Sequence, residues 1–242
     1  MRACLQTGSN PDPSIGVVPA GAGAEGVAVL YQDEHLLVLN KPSGLLSVPG
    51  KGPDKQDCLS AWVQRLFPDA LVVHRLDMGT SGLMIMARSI ACQRQLNHSF
   101  ATRAIAKRYE AVVVGLPEPD PRHQDGWSSI DQPLRLDWDQ RPKRVVDVQA
   151  GKPSQTRWRL KQNFGPCSLL ELEPLTGRSH QLRVHLSALG HPILGDTLYA
   201  EDHARPGAPR LMLHASQLVF RHPHHAQTLH FNCPSGFEQL SF

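Results

Sequence analysis

The stretch His74-Arg75-Leu76-Asp77-Met78-Gly79-Thr80-Ser81-Gly82-Leu83 constrains this chain more than any other. Before it, Leu71-Val72-Val73 is apolar and largely β-branched; after it, Leu83-Met84-Ile85-Met86-Ala87 is an unbroken apolar run. Short apolar runs bounded by turn residues read as buried strands. The chain must therefore set two strands into a core and join them through a tight Met-Gly-Thr-Ser-Gly connection. Arg75 and Asp77 then stand near the end of the first strand. A carboxylate there is held on a rigid element beside a turn, where polar groups of active sites are often found. Taken alone, Asp77 is more simply an acceptor for the backbone N–H groups of its own turn. The rest of the chain overturns that reading.

Further strands are predicted at 27–31 and 35–39 around an Asp33-Glu34 turn, followed by a Pro/Gly-rich loop carrying Lys41. From Cys58, the residues Leu59, Trp62, Val63 and Leu66 share one helical face, with Asp57 as N-cap and Pro68 just past the end. Ser89 caps a second predicted helix that runs to about Thr102. Residues 107–114 read as a strand entered by Lys107, Arg108 and Tyr109, and 115–144 reads as loop. That loop ends on Trp138, Arg141, Lys143 and Arg144, an aromatic and three cations suited to stacking and to RNA phosphates; a solvated charged loop is the simpler local reading. Alternation predicts strands at 156–160 and 168–173, and a Thr176-Gly177-Arg178-Ser179 turn leads into a helix over 180–189. Arg178 then stands at or before a helix N-terminus, where the partial positive charge favours an anionic partner. Strands at 211–220 and 228–232 close the chain. Strands and helices mix without a regular βαβ beat, which predicts an α+β fold with a mixed, largely antiparallel sheet.

At 242 residues the chain can bury a substantial core. The net charge of 25 − 22 = +3 permits nucleic-acid binding without arguing for it. The five cysteines lack any C-x-x-C pair, which disfavours structural zinc and a disulfide framework, and free thiols fit a cytoplasmic protein. No apolar run approaches the ~18 residues needed to span a membrane. Residues 1–26, rich in Gly, Pro, Ala and Ser, read as a disordered leader ahead of one catalytic domain over 27–242. The G-x-G-x-x-G match at Gly21–Gly26 precedes a strand and is followed by no helix, so it is not a dinucleotide fingerprint.

Four pieces read together are specific: Asn40-Lys41-Pro42-Ser43-Gly44-Leu45, the His-Arg-Leu-Asp stretch with its Thr-Ser-Gly-Leu, Lys107-Arg108-Tyr109, and the run from Thr176-Gly177-Arg178 to Arg183-Val184-His185. In this order and spacing they resemble the RluA family of RNA pseudouridine synthases over about residues 27–232. Tyr31-Gln32-Asp33, Leu45 to Gly50, Asp137-Trp138 with Arg141-Pro142-Lys143, and Gly190 to Asp196 resemble the family's dual-specificity branch, which acts on 23S rRNA and on the tRNA anticodon stem-loop. The first strand is expected to follow without an S4-type RNA-binding module before it. The resemblance implies a pseudouridine synthase fold flanked by RNA-binding loops, acting on RNA by isomerisation of uridine after base flipping; that reaction involves no redox change or net hydrolysis and so requires no cofactor or metal, and a monomer is the simpler expectation. It makes Asp77 the catalytic carboxylate, Arg178 its paired cation and Tyr109 the residue that stacks on the target base and is a candidate for handling the C5 proton. A carboxylate shut away from water needs such a cation to remain charged. The resemblance assigns Arg75 to the gap left by the flipped base. His74, Lys41, Lys107, Arg108, Arg141, Lys143 and Arg183 become RNA contacts, with structural ion pairs as the alternative for Lys41, Lys107, Arg108 and Arg183. Leu182 lies under the base or in the core.

Other chemistries fit worse. A glycoside hydrolase uses a second carboxylate beside the first, and a zinc deaminase needs H-x-E with P-C-x-x-C, which is absent. The tail histidines His222, His224, His225 and His230 lack a paired carboxylate or Cys nearby in sequence and read as scattered surface residues. A non-catalytic RNA-binding module would have no need of Asp77, Tyr109 and Arg178 together.

Overall fold

A computed structural model describes residues 27–120, 125–200, 208–225 and 227–240. The leader expected at 1–26 lies outside the described residues. The first half contains β1 (Ala28–Gln32), β2 (Leu36–Lys41), α1 (Leu59–Leu66), β3 (Leu71–Val72), β4 (Ser81–Ala87) and α2 (Ile90–Ala101). Next come β5 (Ala106–Val114), β6 (Ser128–Asp131), β7 (Leu134–Leu136), β8 (Arg144–Val146), β9 (Gln155–Asn163) and β10 (Cys167–Pro174). The chain closes with α3 (Gln181–Ala188), β11 (Leu213–Arg221) and β12 (Thr228–Asn232).

Ten strands form one sheet in the order β1-β2-β4-β11-β5-β10-β9-β6, with β3 added to β4 and β12 to β11. Every pairing is antiparallel except β4 with β11, so the sheet is mixed and largely antiparallel, as an α+β fold requires. The β4 strand is buried along its whole length because both its faces are covered. Leu83, Ile85 and Ala87 join Cys92 and Leu96 of α2 in one core cluster. Met84 and Met86 join Leu59 and Val63 of α1 in another. The continuous apolar run follows from this double burial, since alternation is lost when neither face meets water. A third cluster packs β5 and β10 against Leu182 and Leu186 of α3.

The two halves meet where β4 runs beside β11 for only two residue pairs, Ser81 with His214 and Gly82 with Ala215. Gly82 has φ +108°, and a Cβ there would stand 2.3 Å from the Ala215 carbonyl oxygen. Only glycine allows the backbones to approach so closely at that dihedral angle. The Gly82 of the sequence motif is thus a seam between half-sheets, and not only part of a turn.

Some expectations change. The α1 N-cap is Cys58, without a side-chain cap, while Asp57 accepts from Trp62 Nε1. Ser89 does cap α2, accepting the N–H of Cys92 at 3.2 Å. The tract read as loop contains β6, and its end folds into a separate β7–β8 hairpin. Strands of three or four residues are too short to display a period.

Candidate active site

A cleft of about 570 Å³ opens at the seam between the half-sheets. One wall is the loop His74–Thr80 that leads into β4; the opposite wall is β5 together with the turn from β10 into α3. Asp77 lies in this loop, five residues past β3, and not on a strand end. Its rigidity comes from the Pro/Gly-rich loop after β2. Ser47 Oγ donates to Leu76 O at 2.7 Å and accepts Leu76 N–H at 3.0 Å. Ser43 Oγ donates to Gly79 O at 2.6 Å, and Gly44 N to Met78 O at 2.9 Å. Lys41 completes the staple, giving its Nζ protons to the carbonyls of Pro42, Leu45 and Met78. Lys41 is 0% exposed. Burial drives its pKa down to about 8, with the Asp77 charge opposing the fall. The expectation that Lys41 contacts RNA is therefore corrected: it holds the loop that carries Asp77, because a buried ammonium must satisfy its donors inside the protein.

The Asp77 carboxylate does not serve its own turn. Among the described residues no backbone N–H donates to it, and the Thr80 N–H goes to the Asp77 main-chain carbonyl instead. Its ion-pair partner is Arg183, with Nη1 at 3.5 Å, and His180 Nε2 lies 3.9 Å away. Arg183 is aimed by Asp196, a buried acid that takes Nε and Nη2 in a bidentate pair at 2.7 Å each. A planar guanidinium can hold one carboxylate with two donors and still present the third nitrogen to another, which a lysine cannot. The Arg178 expected beside Asp77 lies elsewhere: it is exposed on the turn before α3, lines the cleft, and donates from Nε to Pro153 O at 3.2 Å. Helix geometry supplies the reason, since residue 183 falls on the buried first turn of α3 whereas 178 precedes the helix.

His180 occupies a left-handed conformation, φ 57°, as the residue before α3. Its Nδ1 meets Tyr199 Oη at 2.7 Å, and Tyr199 Oη accepts the N–H of Arg144 at 2.8 Å. Burial lowers the His180 pKa despite the charge of Asp77, so the ring is neutral in the neutral range. When Tyr199 donates to Nδ1, the ring's proton sits on Nε2, facing Asp77. Gln181 locks the turn: Oε1 accepts from Thr176 Oγ1 and Arg178 N, and Nε2 donates to Gln155 O and Thr156 Oγ1.

On β5 the period of two sends Lys107 and Tyr109 into the cleft. Arg108 points to the other face, where it pairs with Glu173 at 3.3 Å and lies over Trp127. Of the two readings of Arg108, RNA contact or structural ion pair, the structure shows the pair. Burial and the nearby Asp77 raise the Tyr109 phenol above its ordinary pKa, and it stays protonated. Among the lining residues Arg75, Arg103, Lys107, Arg178 and Arg183 are cationic, while Asp77 is the one acid. Leu182 and Leu213 give the cleft an apolar floor.

Residues 35–188 match the family model described as RNA pseudouridylate synthase. The chain is 46% identical over 212 residues to "Dual-specificity RNA pseudouridine synthase RluA" of Escherichia coli O6:H1, covering 87% of this chain and 94% of that one. The Haemophilus influenzae protein of the same name is 43% identical over 210 residues, covering 86% and 93%. This chain belongs to the RluA family of RNA pseudouridine synthases. Its fold agrees with that of the solved human RNA Pseudouridylate Synthase Domain Containing 1, with a TM-score of 0.72 at 29% identity over 90% of this chain and 86% of that one. Human RNA Pseudouridylate Synthase Domain Containing 4 gives 0.66 at 27% identity, over 85% and 87%.

Several features of this RluA-family site escape sequence reasoning. Asp196 and Tyr199 lie beyond α3 in a stretch with no periodic signal, and His180 is one of thirteen histidines. Only the return of that segment onto α3 reveals their use. Arg141 and Lys143 lie outside the cleft, on the β7–β8 turn, where Arg141 stacks over the exposed Trp138 at 3.9 Å. His74, expected as an RNA contact, is half-buried against Phe100, and its Nε2 accepts the Ile85 N–H at 2.9 Å. Burial, helped by Lys107, pushes its pKa from 6.5 down to about 3, so it is a neutral wall residue and not a phosphate-binding cation.

This predicts an acid-sensitive fold. The unfolded chain protonates His74 below its ordinary 6.5, while the folded chain resists until about 3. Stability is full above pH 6.5 and falls as pH drops through that window, by up to roughly 1.4 kcal/mol per unit for this group. Urea midpoints at pH 7 and pH 5 should differ less in His74→Gln, which keeps an acceptor but cannot titrate. An unchanged difference contradicts the assignment.

Proposed function

We propose that this synthase isomerises uridine to pseudouridine in both 23S rRNA and the tRNA anticodon stem-loop, in the cytoplasm and as a monomer, with Asp77 as the catalytic carboxylate acting on a flipped base. The observation that carries the reading is Asp77 at the base of a cation-lined cleft, 3.5 Å from a buried arginine and served by no turn N–H. The relatives named dual-specificity synthases match across more than nine-tenths of their own length, which supports the pair of substrates.

The reaction breaks the N1–C1′ bond, turns the base, joins C5 to C1′, and moves one proton from C5 to N1. Nothing is oxidised and no water is consumed, so the protein's own groups suffice. Asp77 attacks at C1′ or C6, or stabilises positive charge developing at C1′. Arg183 supplies the countercharge from a fixed position, which costs no reorganisation during the reaction. The protonated Tyr109 offers a ring face to the base, and Leu182 an apolar floor. Extrusion of the base costs a few kcal/mol. Arg75, exposed at the mouth two residues before Asp77, is placed to fill the gap, since a guanidinium can stack and bind phosphate at once.

The test is tritium release from C5-labelled uridine in an anticodon stem-loop and in a 23S rRNA fragment. Release from both supports dual specificity. Release from one retains the chemistry and removes the dual claim, and release from neither overturns the reading. The β7–β8 turn is proposed as a second RNA contact. Replacing Trp138 and Arg141 together by Ala should weaken RNA affinity by about 1–3 kcal/mol, the range for one base stacked on an aromatic. A filter-binding titration checks this, and unaltered affinity would remove the turn from the interface.

A further inference from the structure

Three of the four tail histidines do not scatter. The turn between β11 and β12 carries His222, His224 and His225, and it packs against His35 in the β1–β2 turn. One ring nitrogen from each of His35, His224 and His225 lies within 4.8 Å of the other two. His35 stacks on His224 with centroids 4.2 Å apart, and His225 stands edge-on to both, at 5.8 and 4.9 Å.

These three residues are held by a single carboxylate–imidazole pair. Asp33 Oδ1 accepts the N–H of His35 at 2.7 Å, and Asp33 Oδ2 accepts from His222 Nε2 at 2.9 Å. His222 Nδ1 then accepts the N–H groups of His224 at 3.1 Å and His225 at 2.9 Å. These bonds fix the main chains of the three residues and leave the rings of His35, His224 and His225 as the free ends of a braced frame. None of these five residues lines the cleft, and the isomerisation uses none of them.

We propose that His35, His224 and His225 bind one divalent transition-metal ion of the zinc type, on a frame set by Asp33 and His222. Three imidazoles and no carboxylate suit zinc, nickel or copper, whereas calcium and magnesium demand oxygen ligands. Around a tetrahedral ion with bonds of about 2.0–2.1 Å the nitrogens stand roughly 3.4 Å apart. The ring nitrogens must therefore draw together by up to about 1.4 Å, a side-chain rotation open to the exposed His224 and His225. Water takes the fourth position. The bound ion would clip the β1–β2 turn to the β11–β12 turn, adding thermal stability without entering catalysis.

The full chain, stripped of metal, is titrated with Zn²⁺ against a chromophoric chelator near neutral pH. One ion per chain is expected. His35→Ala and His224→Ala should each weaken it by about tenfold or more, while His230→Ala, an exposed β12 histidine outside the cluster, should not. Co²⁺ substitution should show d–d bands without sulfur charge transfer, separating this site from the buried cysteines. Melting curves without metal establish that each variant is folded, and the zinc-dependent rise in melting temperature should vanish in His35→Ala and His224→Ala. Absence of a stoichiometric ion, or binding unaffected by those two substitutions, overturns the proposal.

Discussion

Asp77→Asn is expected to lower tritium release from C5-labelled uridine on the order of 10⁴-fold or more while leaving RNA affinity nearly unchanged. Each tenfold corresponds to about 1.4 kcal/mol of barrier, so the lost stabilisation is roughly 5.5 kcal/mol. That magnitude is typical when a nucleophile is removed from a site whose other groups remain. The amide is nearly isosteric with the carboxylate but has neither its charge nor its nucleophilicity. The phosphate contacts proposed for the cleft's cations, Arg75, Arg103, Lys107 and Arg178, are left in place by the substitution. Stability should also hold within about 1 kcal/mol, because Asp77 is 22% exposed and Arg183 retains its bidentate pair with Asp196. Single-turnover assays beside filter binding separate the two effects. Normal turnover in the variant would remove Asp77 from the chemistry, and a parallel loss of affinity would make it a binding residue.

Arg183→Leu should fail differently. Asp196 is 1% exposed and also accepts the N–H groups of Leu198 and Tyr199. Without Arg183 it is a buried charge lacking its countercharge, a loss of about 3–5 kcal/mol when one member of such a pair is removed. Against a total stability of roughly 5–15 kcal/mol this is a large shift in the urea midpoint. Replacing both residues by leucine should recover much of that stability, since an apolar pair fills the space without an orphaned charge. Turnover should stay low in the single and the double variant, because neither presents a cation to Asp77. A double variant that regains turnover together with stability would show that Arg183 is only a strut.

Where sequence pattern sufficed, the reason was local. Ser89 caps α2 because a side-chain oxygen three residues from an orphan N–H needs no tertiary help. The run Leu83–Ala87 became a fully buried strand because nothing in it can face water. The two largest departures concern residues whose neighbours in space are distant in sequence. Lys41 reads as a solvated loop cation until its three carbonyl partners, one of them 37 residues away, are seen around it. Arg178 and Arg183 are both arginines of one short stretch, and only the start of α3 decides which meets Asp77. The tail histidines gained significance in the same way, through His35 on another hairpin.

By itself the sequence determined the family, the mixed sheet, the identity of the candidate carboxylate and the apolar strand that follows it. These rest on contiguous motifs and on periodicity, which a linear chain records. Tertiary structure alone decided which cation faces Asp77, which lysine is a staple and where half-sheets join at Gly82. It also decided which histidines share a frame. Each is a matter of packing across the sheet, where low dielectric and unsatisfied donors select partners by distance in space, and a single sequence carries no record of that distance.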